Sequence, residues 1–300
     1  MNELRDRFRQ LVGFSPVELT LASARESEAD GIVREDLAFR LPDGTAVRGI
    51  LMRPTGQGPH PAILYAHAHG GRYEIGASEL LAGRPEIPDP PGIAFARAGY
   101  VVLAIDMPTF GERSSVSESA AVKTALWYGR TLFGQMLSEQ AGALGWLAAR
   151  PDVDAARIGI TGLSMGATLA YWLAALDPRP AAIAHLCCYA DFATLVALGA
   201  HDKHGHYLTV PGLLSAMTTG AIAGLVAPRP QLVHVGTEDP LTPPESVTRA
   251  EADTRRGYEA AGAPENFIII REEGVGHRET PAMRASVLAF FARHLKGDMR

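Results

Sequence analysis

The sequence predicts an α/β fold: a doubly wound, mostly parallel sheet with helices on both faces. Two observations carry this. First, short apolar runs recur from about residue 60 to the end, at 62–66, 100–105, 157–161, 182–188, 231–235 and 267–271. Each is bounded by Gly, Pro or charge, as buried parallel strands are. Second, the segments between them carry apolar residues at helical spacing, so strand and helix alternate as in right-handed βαβ crossovers.

In chain order, residues 1–20 read as an amphipathic helix with Leu4, Phe8, Leu11 and Val12 on one side. It would dock on the body or serve as the arm of a homodimer. Next, 33–41 and 46–52 flank Pro42-Asp43-Gly44-Thr45, a hairpin signal that adds antiparallel strands at one edge. The stretch 121–149 repeats Val122, Leu126, Phe133, Leu137, Ala141 and Leu144 near helical spacing. The segment 281–295 follows Thr280 as a cap, with Pro281 at the first helical position. No repeat, linker or low-complexity tract interrupts the chain. A single domain over 1–300 is expected, with 1–32 as a helical extension and about 191–228 as a small cap.

Three hundred residues fit one α/β domain. A hydrophobic share of 47% and a charged share of 20% exclude disordered, collagen-like and coiled-coil chains. Twenty-eight basic against 33 acidic residues give a net charge of −5, which offers no footprint for nucleic acid or an anionic membrane. The two cysteines, Cys187 and Cys188, are adjacent, so they form neither a disulfide framework nor a metal knuckle and read as reduced core residues. Residues 1–8 carry charges where a signal peptide needs an apolar core, so a cytoplasmic location is expected. Two charge-free stretches have the length of a membrane span, 158–176 and 207–228. Gly159, Gly162 and Gly166 break the first, and Pro211, Ser215, Thr218 and Thr219 mark the second as a packed helix.

The sharpest chemical signal is Gly162-Leu163-Ser164-Met165-Gly166, between an apolar strand and a glycine-poor helical run. A G-x-S-x-G turn in that context raises a serine hydroxyl above the sheet, with helical N–H groups behind it. Serine needs a base, and the base needs an orienting acid. The run 231–235 leads into Glu238 and Asp239 at a strand's carboxyl edge, where such sheets bind ligands. Asp239 is the preferred acid, because Glu238 points to the other side of an extended segment. His277 lies in a glycine-flanked loop past the final strand, free to reach the serine. His234 reads as a core residue, His294 as solvated, and His60 and His185 are given no role. The oxyanion donors are expected to be the Met165 N–H and an N–H from His67-Ala68-His69-Gly70-Gly71-Arg72. In that loop the donor is His69 if His67 opens the turn, or Gly71 if His69 does, with His69 preferred.

These features resemble the α/β-hydrolase superfamily, within it the dienelactone hydrolase-like and acetyl-esterase-like branches. The resemblance runs from Val33 to the C-terminus. It also rests on Asp106-Met107-Pro108-Thr109-Phe110-Gly111-Glu112-Arg113, on Asp152-Val153-Asp154-Ala155-Ala156-Arg157 and on Ala227-Pro228-Arg229-Pro230. It implies the α/β-hydrolase fold, Ser164 as nucleophile, Asp239 as acid, His277 as base and no cofactor. Dienelactone hydrolases proper use a cysteine nucleophile; the serine here points to an ester. A triad also argues against a single span over 207–228, which would put Ser164 and Asp239 on opposite sides of a bilayer.

The expected activity is therefore hydrolysis of a small or short-acyl carboxylic ester through an acyl-enzyme, without metal or organic cofactor. The alternatives are a small peptidase or amidase on the same triad, and a non-catalytic binding module. Arg72, Glu112 and Arg113 are expected to line the cleft. The cluster His201-Asp202-Lys203-His204-Gly205-His206 has zinc-ligand chemistry but no second ligand segment, and reads as a polar loop of the cap.

Overall fold

The structure is a computed structural model and describes residues 2–296. Its strands are β1 (Thr20–Ala29), β2 (Ile32–Arg40), β3 (Ala46–Pro54), β4 (His60–Ala66), β5 (Val101–Ile105), β6 (Val153–Leu163), β7 (Ala182–Leu186), β8 (Gln231–Gly236) and β9 (Phe267–Glu272). They form one sheet in the order β1-β2-β3-β5-β4-β6-β7-β8-β9. The pairs β1–β2, β2–β3 and β3–β5 are antiparallel, and β4 through β9 run parallel. The doubly wound sheet expected from the sequence is present, with its antiparallel strands at one edge. The central strands β5, β7 and β8 are buried along their whole length because helices cover both faces.

The helices are α1 (Asn2–Val12), α2 (Glu79–Ala82), α3 (Pro91–Arg97), α4 (Glu118–Trp127), α5 (Leu132–Ala148), α6 (Met165–Leu176), α7 (Phe192–Ala197), α8 (Leu213–Ala216), α9 (Thr219–Gly224), α10 (Pro244–Ala260) and α11 (Pro281–Phe291). One hydrophobic cluster joins a sheet face to α1 and α4 through α10; the other joins the opposite face to α2, α3 and α11. Every residue of α6 is buried, because α1 lies over it. Phe8 meets Trp172 edge-to-face at 5.0 Å. Arg5 donates to the carbonyls of Ala175 (2.8 Å) and Leu225 (3.0 Å), and Arg9 to that of Leu176 (3.0 Å). The carbonyls of Ala175 and Leu176 are ones that the end of α6 leaves free, and that of Leu225 lies just past α9. The N-terminal helix thus docks on the body of its own chain.

Two expectations need correction. The stretch 1–32, expected to be a helical extension with a helix over 1–20, is helical only at Asn2–Val12 and carries a strand that the sequence reading passed over, β1, so the antiparallel edge holds three strands and not two. All ten of its residues are exposed, and without a buried face there is no alternation to read. Backbone pairing with β2 holds it, through a turn in which Asp30 (φ 52°) and Gly31 (φ 71°) are both left-handed. The helix expected over 121–149 is two helices, α4 and α5. The chain turns at Gly129 (φ 65°), and the Thr131 hydroxyl then caps α5 by accepting from the Gly134 N–H at 2.9 Å. Among the described residues no helix is long and apolar enough to cross a membrane. The stretch 158–176 is the end of β6, a turn and α6, and 207–228 holds α8 and α9.

Several histidines are buried neutral. Burial pushes His67 down to about 4 and His185 to about 3, and lowers His204, His234 and His294. The unfolded chain protonates these groups near their ordinary value of 6.5, whereas the folded chain does not. Stability therefore falls as pH drops from about 6.5 toward 4. Glu79, raised by burial, pulls the other way as a single group. We expect a lower urea midpoint at pH 5 than at pH 7, and a smaller drop in His185→Gln, both read by denaturation at constant ionic strength.

Candidate active site

Ser164 stands between β6 and α6 with φ 60° and ψ −118°. A non-glycine residue there is strained, and the surroundings must hold it. A Cβ on Gly162 or Gly166 would collide with the carbonyl oxygen of Ala66 at the end of β4. The turn is therefore laid directly against its neighbouring strand, and only glycines allow the approach. The Ser164 N–H donates to the Leu186 carbonyl (2.9 Å), and its carbonyl accepts from Thr168 (3.1 Å). The Met165 N–H, first in α6, has no intrahelical acceptor.

Asp239 follows β8 and His277 follows β9. Asp239 Oδ2 accepts from His277 Nδ1 at 2.7 Å, and Oδ1 from the Leu241 N–H at 2.8 Å. The Asp239 carboxylate is fully buried, whereas the imidazole is 19% exposed. Glu238, the rejected acid, is exposed. Because the aspartate accepts at Nδ1, Nε2 is the ring nitrogen left to face a substrate. The strands ending at Ser164 and Asp239 are separated only by β7, so their ends lie roughly 9–10 Å apart. An imidazole hydrogen-bonded at both ends spans roughly 7–8 Å, which suits that gap. Among the described residues Ser164 Oγ and His277 make no direct hydrogen bond; such contacts often tighten only when substrate is bound.

Cys187, after β7, lies within 4.8 Å of Asp239 and His277 through its ligand atom. Burial pushes its thiol well up, and that of Cys188 to about 12, so neither is a thiolate at neutral pH. Both are free and buried.

The loop after β4 is braced at each residue. His67 Nε2 accepts from the Met107 N–H (3.2 Å). Glu79 accepts from the Ala68 N–H (3.2 Å) and from Tyr65 Oη (2.7 Å), while Arg84 donates to the Ala68 carbonyl (3.0 Å). Glu79 and Arg84 pair at 2.5 Å with their side chains almost wholly buried. His69 Nδ1 accepts from the Gly71 N–H (3.0 Å), and its Nε2 donates to Glu118 (2.5 Å). The His69 N–H has no acceptor among the described residues. Asp106, buried after β5, accepts from Ala77 (2.7 Å) and Glu112 (2.9 Å) N–H groups and pairs with Arg48 (3.2 Å).

Arg72, Glu112 and Arg113 are the other residues expected to line the cleft. Arg72 is exposed beside His69. Glu112 and Arg113 line a cavity of about 730 Å³, whose lining includes none of Ser164, Asp239 or His277. Arg113 is paired with Glu139 and donates to the Asp106 carbonyl (3.1 Å). In the 201–206 loop, His204 bonds the Leu241 carbonyl (3.0 Å) and Lys203 that of Pro240 (3.4 Å), which seats the loop on the Asp239 turn. Among the described residues this loop assembles no group of three metal-ligating side chains. His234 is buried against Ser286 (2.9 Å), and His294 is half-buried on Phe290 (4.7 Å) instead of solvated. Glu79, Arg84 and Glu118 belong to no motif, and Asp106 entered the sequence reading only as the start of the 106–113 segment; the contacts that these four make were not read from the sequence.

We expect Glu79→Gln to lower stability by about 3–5 kcal/mol, because it leaves the Arg84 guanidinium buried and unpaired. Chemical denaturation of both proteins at pH 7 measures this.

Comparison with known proteins extends this geometry. Residues 43–239 match the family model described as X-Pro dipeptidyl-peptidase (S15 family). The Bacillus subtilis protein YtaP, a hydrolase by name, is 34% identical over 297 residues, covering 98% of this chain and 99% of its own. Esterase FrsA of Klebsiella pneumoniae subsp. pneumoniae is 27% identical over 245 residues, covering 74% of this chain and 53% of its own. Among solved structures, the acetyl xylan esterase of Paenibacillus sp. R4 superposes with a TM-score of 0.71 at 20% identity. That match covers 98% of this chain and 94% of the other, and shows the α/β-hydrolase fold. On the family match and the end-to-end relationship to YtaP, the chain belongs to the S15 family of α/β-hydrolases.

Proposed function

We propose that this protein hydrolyses small carboxylic esters as a serine hydrolase, through an acyl-enzyme, in the manner of dienelactone hydrolase-like and acetyl-esterase-like enzymes. The observation that carries the reading is the 2.7 Å hydrogen bond between buried Asp239 and His277, at the sheet edge where Ser164 stands on a strained turn. Ser164 Oγ attacks the ester carbonyl carbon while His277 Nε2 takes its proton. Asp239 holds the Nδ1–H tautomer and stabilises the imidazolium. The imidazolium returns the proton to the leaving alkoxide, and the acyl group stays on Ser164. Water, deprotonated by His277, then releases the acid.

The oxyanion forms twice, and N–H donors aimed at it are each worth roughly 3 kcal/mol. Met165 supplies one. For the other, the Gly71 N–H is committed to His69 Nδ1, which favours the His69 N–H. Esterase FrsA supports an ester substrate, and the acetyl xylan esterase neighbour a short acyl group. The family description favours a second reading, cleavage of a peptide bond after proline. The same triad would do this, with His277 protonating an amine.

The test is turnover of p-nitrophenyl esters from acetate to octanoate beside dipeptidyl-proline p-nitroanilides, with fluorophosphonate labelling read by intact mass. Acetate and butyrate should be turned over best, and Ser164→Ala should lose both label and activity. Asp239→Asn should lower kcat about 10⁴-fold; a loss under tenfold would mean that another acid serves His277. Anilide cleavage without ester turnover would put the peptidase reading first.

A further inference from the structure

Glu118 is a buried carboxylate that the proposed chemistry does not use. It is the first residue of α4 and only 5% exposed, yet the cap of that helix is Ser117, whose hydroxyl accepts from Ala120. Burying a carboxylate is costly unless its oxygens are bonded. Those of Glu118 accept from His69 Nε2 (2.5 Å), Tyr73 Oη (3.3 Å) and the Tyr207 N–H (3.2 Å). It therefore joins three segments remote in sequence: the turn after β4, α4, and the chain beneath the 201–206 loop. The His69 ring is clamped as well, stacked on Tyr207 at 5.1 Å and edge-on to Tyr73 and Phe110 at 5.2 Å.

The two bonds to the ring fix its chemistry. The Gly71 N–H points at Nδ1, so Nδ1 carries the lone pair and the proton sits on Nε2, donated to Glu118. The turn itself has little stiffness of its own, since Gly70 (φ 52°) and Gly71 (φ 68°) are both left-handed. Its shape is set by the His69 side chain, and the orientation of that side chain by Glu118.

We propose that Glu118 is a positioning residue for oxyanion binding: through the His69 ring it turns the Gly71 N–H inward and leaves the His69 N–H free for the oxyanion. This rests on the serine-hydrolase reading above. Glu118 touches neither substrate nor oxyanion; it acts through His69. Its loss should appear in the transition state and hardly in ground-state binding.

The experiment compares wild type, Glu118→Gln and His69→Gln, with Ser164→Ala as control. Active sites are titrated with a fluorophosphonate, so that misfolded protein is not counted. We expect Glu118→Gln to lower kcat on p-nitrophenyl acetate about 10- to 100-fold per titrated site, with KM within about threefold. The inhibition constant of an aryl trifluoromethyl ketone, which forms a tetrahedral oxyanion on the serine, should rise by the factor that kcat/KM falls. His69→Gln keeps the backbone donor and an amide near Glu118 but loses the acceptor for Gly71. It should show the same split, and it keeps the test alive if Glu118→Gln fails to fold. Wild-type kcat per site in either variant, with Ser164→Ala inactive, overturns the positioning role alone. Full activity in Ser164→Ala overturns the serine-hydrolase reading and the positioning role with it.

Discussion

The contact between the Ala66 carbonyl and the glycines at 162 and 166 is the constraint on which the rest of the site depends. It lets the β6–α6 turn lie across the end of β4, where any side chain at either glycine would collide with backbone. That closeness fixes the left-handed Ser164, aims the start of α6, and sets the loop beginning at His67 beside that serine. It also fixes α6 as the central helix, every residue of it buried, which requires a further layer outside. The N-terminal helix supplies that layer, with its arginines on the helix's terminal carbonyls. A turn strained at one residue is thus held by packing on every side.

Around that turn the chain places four buried acids at one edge of the sheet, and each has a separate task. Asp239 orients His277. Glu79, with Arg84, ties both backbone groups of Ala68. Asp106 gathers N–H groups from two loops and pairs with Arg48. Glu118 bonds His69. Buried carboxylates are poor sources of net stability, so their number here reflects fixed backbone geometry more than stability. Hydrogen bonds to fixed acceptors set the direction of N–H groups, and catalysis of acyl transfer depends on that direction before substrate arrives.

How much of this was legible in the sequence follows from what kind of force forms each part. The parallel strands, the hairpin and the elbow are written locally, as apolar runs, turn residues and paired glycines. The pairing of Asp239 with His277 was legible as a juxtaposition, because strand ends and glycine-rich loops limit where these side chains can sit. β1 was not, because a backbone ladder holds it and its side chains are all in solvent. Its one local sign is Asp30-Gly31, a two-residue turn whose preceding flank carries no buried apolar residue. The break between α4 and α5 rests on Gly129, which one glycine in a periodic stretch does not announce. Glu118 meets partners far away in sequence, and the Glu79–Arg84 pair, though close in the chain, is brought together by a loop with no periodic pattern to read. Glu112 and Arg113 looked suited to a cleft by position, yet the structure uses Arg113 to hold Glu139 and the loop after β5.

The cap segment shows how such long-range contacts join the two halves of the site. His204 and Lys203 bond the carbonyls of Leu241 and Pro240, just past Asp239. A few residues on, Tyr207 bonds Glu118 and stacks on His69. One short stretch therefore touches the acid's turn at one end and the loop after β4 at the other. A lid hinged over a finished site would leave that site intact on opening. Displacing this stretch would instead break bonds that hold both loops, so it is a strut of the site itself. Its polar character follows: a purely apolar cover could exclude water, but it could not hold a carbonyl and a carboxylate in place.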